Sequence, residues 1–158
     1  MNTAHRGFSA YLHELITVHQ STDSMISKSY SGRAMAICVS DKRKISVDIE
    51  EKGARADETI RFFKKKFRTF GIATESTDLE WFYRTWTAME SYLKFTGYGF
   101  KAPKDFIVDL DANIISMGDR PAAHLKFIFL PHFVLCLCCE QALKSSDPEI
   151  SCFGWEDA

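Results

Sequence analysis

The sequence predicts an α+β fold in which an antiparallel sheet packs against helices, and three observations carry that prediction. Apolar residues recur at helical spacing in three segments, while strict alternation appears near residues 35–50 and again between 106 and 139. No repeat, low-complexity tract or Pro/Ser-rich linker divides the chain, so residues 1–158 read as one domain. Its 158 residues, 46% apolar and 13% aromatic, are enough to build a core.

In chain order, Phe8, Leu12, Leu15 and His19 predict an amphipathic helix over residues 8–19, and residues 20–28 read as a polar loop. Met35, Ile37 and Val39 alternate with smaller or polar residues, and a charged turn at 41–44 leads to a second strand at 45–50. The two strands are expected to pair as a hairpin. Residues 57–70 form a second helix on the stripe Ile60, Phe63, Phe67 and Phe70, with Gly71 as its stop. Thr77 and Glu80 have capping-box spacing, and Leu79, Phe82, Trp86, Met89 and Leu93 continue as an apolar stripe to Gly97. Residues 106–110, 114–117, 125–130 and 133–139 read as strands, the last two forming a hairpin through Pro131 and His132, and residues 144–158 as a loosely packed tail.

A net charge of -1 argues against domain-wide attraction to nucleic acid or to an anionic membrane. No segment has the length or apolarity of a bilayer span, and residues 1–6 lack a signal sequence. Five cysteines, three of them crowded at Cys136, Cys138 and Cys139 in an alternating apolar strand, read as core thiols rather than a disulfide framework or a zinc site. A cytoplasmic location follows as the expectation. His5, His13, His19, His124 and His132 show no convincing metal spacing.

The residues that carry chemistry are acidic. Asp48 and Glu50 share one face of the 45–50 strand, and Glu90 lies on the helix beyond. Three oxygen donors of this kind suit a hard divalent cation, magnesium above all. Spacing alone leaves a second reading open, since Glu90 and Lys94 stand one turn apart as a surface ion pair worth about 0.3–0.5 kcal/mol.

The run Ile45-Ser46-Val47-Asp48-Ile49-Glu50, followed some forty residues later by Trp86-Thr87-Ala88-Met89-Glu90-Ser91-Tyr92-Leu93-Lys94 and Gly97-Tyr98-Gly99-Phe100, resembles the paired signature of the 4'-phosphopantetheinyl transferase superfamily, in particular its surfactin-synthetase-activating type. Ser29-Tyr30-Ser31-Gly32-Arg33 and residues 127–139 extend the resemblance. It implies that Asp48, Glu50 and Glu90 hold Mg2+ against the pyrophosphate of coenzyme A, with Ser29, Tyr30, Ser31, Arg33 and Lys94 as ligand-binding positions. It further implies that a carrier-protein serine attacks the phosphate next to pantetheine, releasing 3',5'-ADP. Lys94 would supply an ammonium at the phosphates, and Glu50 or Glu90 would take the serine proton.

Three positions depart from the family pattern. Tyr30 stands where many members have a histidine that touches a coenzyme A phosphate. Ser46 stands for a glycine that would allow close approach to the ligand. Met89 stands for a lysine, and its place on the apolar stripe marks it as core; a lysine restored there would raise transfer if that cation is limiting. The half of the fold preceding Asp48 is abbreviated, and short members complete the site between subunits, so a homo-oligomer is an expectation. The basic run Arg61, Lys64, Lys65, Lys66 and Arg68 is either a solvated helix face or a docking surface for an acidic acyl or peptidyl carrier protein. A relative that binds coenzyme A or a carrier without transferring the arm is the alternative function.

Overall fold

A computed structural model describes residues 24–32, 34–40, 43–53, 57–70, 72, 78–101 and 105–144. The predicted helix at 8–19, the candidate Arg33 and the tail from residue 145 lie outside the described residues. Among the described residues, seven strands and two helices follow in order: β1 (Met25–Ser31), β2 (Ala34–Ser40), β3 (Ile45–Glu51), α1 (Asp57–Thr69), α2 (Leu79–Thr96), β4 (Phe106–Asp109), β5 (Ile114–Met117), β6 (Arg120–Phe129) and β7 (Phe133–Cys139), with one 3-10 turn at Gly99–Lys101. The fold is α+β with antiparallel sheets throughout. No helix among the described residues is long and apolar enough to cross a membrane.

The five-stranded sheet has the order β3-β7-β6-β5-β4, and its β6–β7 hairpin forms as the sequence predicts. Two sequence expectations fail at its edge. Residues 25–28, read as loop, belong to β1. The 35–39 strand does not pair with 45–50: β2 pairs with β1, and β3 pairs with β7. The reason is steric and polar together. Ala34, Ala36 and Cys38 present small buried side chains that let β2 stack face-on against Ile45, Val47 and Ile49, instead of joining them edge to edge. Gly32, at φ 55, closes β1 onto β2 through the tight two-residue connection implied by the Ser31–Ala34 pairing.

The opposite face of the large sheet carries the main core. Phe67, Phe82, Trp86, Met89 and Leu93 from the helices pack on Phe106, Ile115, Leu125, Cys136 and Cys138. Sandwiched between sheet and α1, α2 buries far more than the predicted stripe, including Tyr83, Tyr92 and Phe95, whereas Leu79 at its first turn is 45% exposed. Asp78 caps α2 by accepting a hydrogen bond from the Glu80 N–H at 3.0 Å, the role expected of Thr77, which lies outside the described residues. Gly97, left-handed at φ 76, ends it as predicted. Cys136, Cys138 and Cys139 are buried core residues, and burial pushes the thiols of Cys136 and Cys138 upward in pKa.

Candidate functional site

Strand alternation makes the site. Ile45, Val47 and Ile49 enter the apolar cluster under β2, so Ser46, Asp48 and Glu50 must face α2. There Ser46 donates to the Ser91 carbonyl at 2.6 Å, fixing strand against helix. Its hydroxyl is thereby turned into the helix contact rather than toward a ligand.

Asp48 is 4% exposed, and burying a carboxylate is costly unless it is paired. Lys94, from the last turn of α2, donates to Asp48 Oδ1 at 2.7 Å, and the Ser29 hydroxyl donates to the same oxygen at 2.7 Å. Lys94 also donates to Ser29 Oγ at 2.8 Å and to the Val47 carbonyl at 3.3 Å. An ammonium has three N–H donors, and all three are thus taken by this chain. Even so, burial leads and holds the Asp48 pKa above the ordinary carboxylate value, with Glu50 adding to the rise and Lys94 and Ser29 opposing it.

Glu50 is held differently. Its Oε1 accepts from the Trp86 indole N–H at 2.6 Å and its Oε2 from the Ser31 hydroxyl at 2.9 Å. Glu90, one turn beyond Trp86, faces Lys66 of α1 across 3.8 Å. Burial again leads in raising the Glu90 pKa, and the neighbouring charges of Asp48 and Glu50 raise it further while Lys66 and Lys94 lower it. Burial also lowers Lys66, against the pull of Glu90.

The fold therefore brings Asp48, Glu50, Glu90 and Lys94 into one electrostatic neighbourhood, as the sequence reading required. Each carboxylate nonetheless leans on its own donor, and among the described residues no three acidic, histidine or cysteine groups stand as a ready metal cage. Asp48 Oδ2 is buried without a hydrogen-bond partner. An orphaned carboxylate oxygen on Asp48, with the charge of Glu50 raising the pKa of Asp48 and the charges of Asp48 and Glu50 raising that of Glu90, fits a hard cation in donor chemistry.

Ser29 and Ser31 sit beside the site, but their hydroxyls hold the carboxylates of β3 rather than standing open to a ligand. Tyr30 between them points to the other side of β1 and is 62% exposed. Met89 is fully buried in the core, as its place on the apolar stripe predicts, so a lysine there would have to leave the core to reach a phosphate. Arg61, Lys65 and Arg68 are exposed on α1, with Phe62 beside them 65% exposed, while Lys64 lies 6.0 Å from the Trp81 ring centroid.

Sequence reasoning missed Ser27, Trp86 and Lys66. The Ser27 hydroxyl accepts the Val47 N–H at 3.1 Å and that of Ser31 accepts the Glu51 N–H at 2.9 Å, so β1 satisfies donors on the edge of β3 that β7 does not reach. The period-two recurrence of Ser27, Ser29 and Ser31 was the available signal. Trp86 reads from the sequence as core and as the aromatic of the family signature, and Lys66 as one charge of a solvated or docking face; neither reading puts them against the carboxylates.

A sequence profile described as the 4'-phosphopantetheinyl transferase superfamily matches residues 44–146, which include all three carboxylates, Lys66 and Lys94. The chain is also similar to the 4'-phosphopantetheinyl transferase Sfp of Bacillus subtilis (strain 168), 33% identical over 85 residues that cover 52% of this chain and 38% of that protein. The chain thus spans well under half the length of this relative.

Proposed function

From the premise that this chain belongs to the 4'-phosphopantetheinyl transferase superfamily, we propose that it moves the phosphopantetheine arm of coenzyme A onto a serine of an apo acyl or peptidyl carrier protein. The observation that carries the reading is the juxtaposition of Asp48, Glu50 and Glu90 around an unpartnered, buried Asp48 oxygen. Asp48, Glu50 and Glu90 would hold Mg2+, which supplies charge neutralisation at the pyrophosphate oxygens.

The chain's own groups have distinct tasks in that reading. Lys94 and Ser29 orient Asp48, and Trp86 and Ser31 orient Glu50. Glu90 is the better base, because both oxygens of Glu50 already accept a hydrogen bond from Trp86 and Ser31. The carrier serine oxygen forms a bond to the phosphorus next to pantetheine as its proton passes to Glu90. The bond from that phosphorus to the bridging oxygen breaks, and 3',5'-ADP leaves with the electron pair. The exposed Arg61, Lys65 and Arg68 of α1 would meet the acidic surface of the carrier and speed encounter more than they tighten it.

The test is incubation with coenzyme A, Mg2+ and several apo carriers, read by mass spectrometry for the added arm. Glu90→Ala should abolish the product; an unchanged rate would remove Glu90 from the site. A second reading, binding without transfer, is favoured by the burial of Met89 where the family pattern has a cation. Coenzyme A bound by the protein with no modified carrier would select it.

A further inference from the structure

The carboxylate cluster meets two lysines, and they are not equivalent. All three donors of Lys94 are committed to Ser29, Val47 and Asp48, so it cannot reach an incoming anion without breaking one of these bonds. Met89, next to Glu90, is buried in the core and brings no charge.

Lys66 is placed otherwise. It comes from α1, whose Phe63 and Phe67 rings pack on Trp86 at centroid distances of 4.0 and 5.9 Å and thereby set where α1 lies over the site. Its ammonium lies 5.0 Å from the Trp86 ring centroid, within cation–π range, while the indole N–H of the same residue holds Glu50. Lys66 makes an ion contact with Glu90 Oε1 at 3.8 Å, and 26% of its side chain is exposed. A lysine held over an indole face at the rim of an acidic cluster has its orientation set beforehand. A cation bound to Glu90 would compete with Lys66 for that carboxylate, leaving the ammonium beside whatever anion the cation carries.

We propose that Lys66 is the phosphate-binding lysine of this site: with a divalent cation on Glu90, its ammonium contacts the pyrophosphate of coenzyme A from the Trp86 face. The assignment rests on the transferase-site reading above. It gives one residue of the basic helix a role in the ligand site, apart from the residues that face a carrier.

The test is titration calorimetry of the whole chain with coenzyme A in excess MgCl2. Lys66→Met keeps an unbranched stem on the indole and removes the charge. The loss of one charge-assisted phosphate contact should weaken coenzyme A binding by about tenfold or more and flatten its dependence on KCl. Lys66→Arg should stay within about threefold of wild type, because the charge is kept. In the absence of coenzyme A, Lys66→Met should bind Mg2+ as well as wild type or better, since a competitor for Glu90 is gone. Lys66→Gln serves the same purpose if the methionine variant does not fold. Equal coenzyme A affinity in wild type and the neutral variant would overturn the assignment while leaving the site reading intact. A wild-type protein that binds no coenzyme A with Mg2+ would overturn both.

Discussion

The two faces of β3 differ in everything but their backbone. Ile45, Val47 and Ile49 lie against the small side chains of β2 and are at most 4% exposed, whereas Ser46, Asp48 and Glu50 face α2. Both faces are largely buried, so burial alone does not separate core from site. The difference lies in what each side chain finds opposite it: on one face, atoms that need nothing, and on the other, donors from β1 and α2 that meet both oxygens of Glu50 and one of the two oxygens of Asp48. The charges of the strand lie where lysine, serine and indole groups meet them.

The largest test is to move the charge across the strand. Val47→Asp places a carboxylate with no partner at a fully buried position and should cost about 3 kcal/mol or more in urea denaturation, or prevent folding. Near-wild-type stability would mean that the β2 face opens to water. Met89→Lys should do comparable damage, about 3 kcal/mol or more, because an ammonium would replace a fully buried thioether; a stable variant with faster transfer would bear out the expectation drawn from resemblance.

A smaller effect is expected in the opposite direction at Glu90. The folded state raises the pKa of Asp48 and Glu90, so it keeps their protons to higher pH than the unfolded chain does. Metal-free stability should therefore fall as pH climbs from the ordinary carboxylate range through the raised values. Lys66 and Lys94 oppose this fall, and Glu50 adds to it. Glu90→Gln removes one of the two contributions and should raise the melting temperature of the Mg2+-free protein at neutral pH, by about 2–4 °C for each kcal/mol relieved. A lower melting temperature would show the Lys66 contact outweighing burial. The smallest effect belongs to Ser27→Ala, which leaves the Val47 N–H without its acceptor and should cost about 1 kcal/mol by thermal melting, with the carboxylate side chains undisturbed.

Much of this was legible in the sequence. Alternation in β3 already put Asp48 and Glu50 on one face, and the stripe through Phe82, Trp86, Met89 and Leu93 already described α2 and the burial of Met89. Spacing of one helical turn tied Glu90 to Lys94. These are local properties, fixed by the two-residue period of a strand and the 3.6-residue period of a helix.

Strand partners were not local. The sequence reading joins residues 35–39 to 45–50 because they are neighbours in the chain, yet β3 pairs with β7 some ninety positions away, and β2 turns back onto a strand whose first part, residues 25–28, reads as loop. β1 is a strand through its pairing with β2, and Ser27, Ser29 and Ser31 join the site because an edge of β3 and two carboxylates lie beside them. Trp86 and Lys66 likewise became site residues through contacts between helices and sheet that no periodicity encodes. The sequence by itself determined which residues could face together; tertiary packing decided which faces met, because each buried charge had to find its donors across the fold.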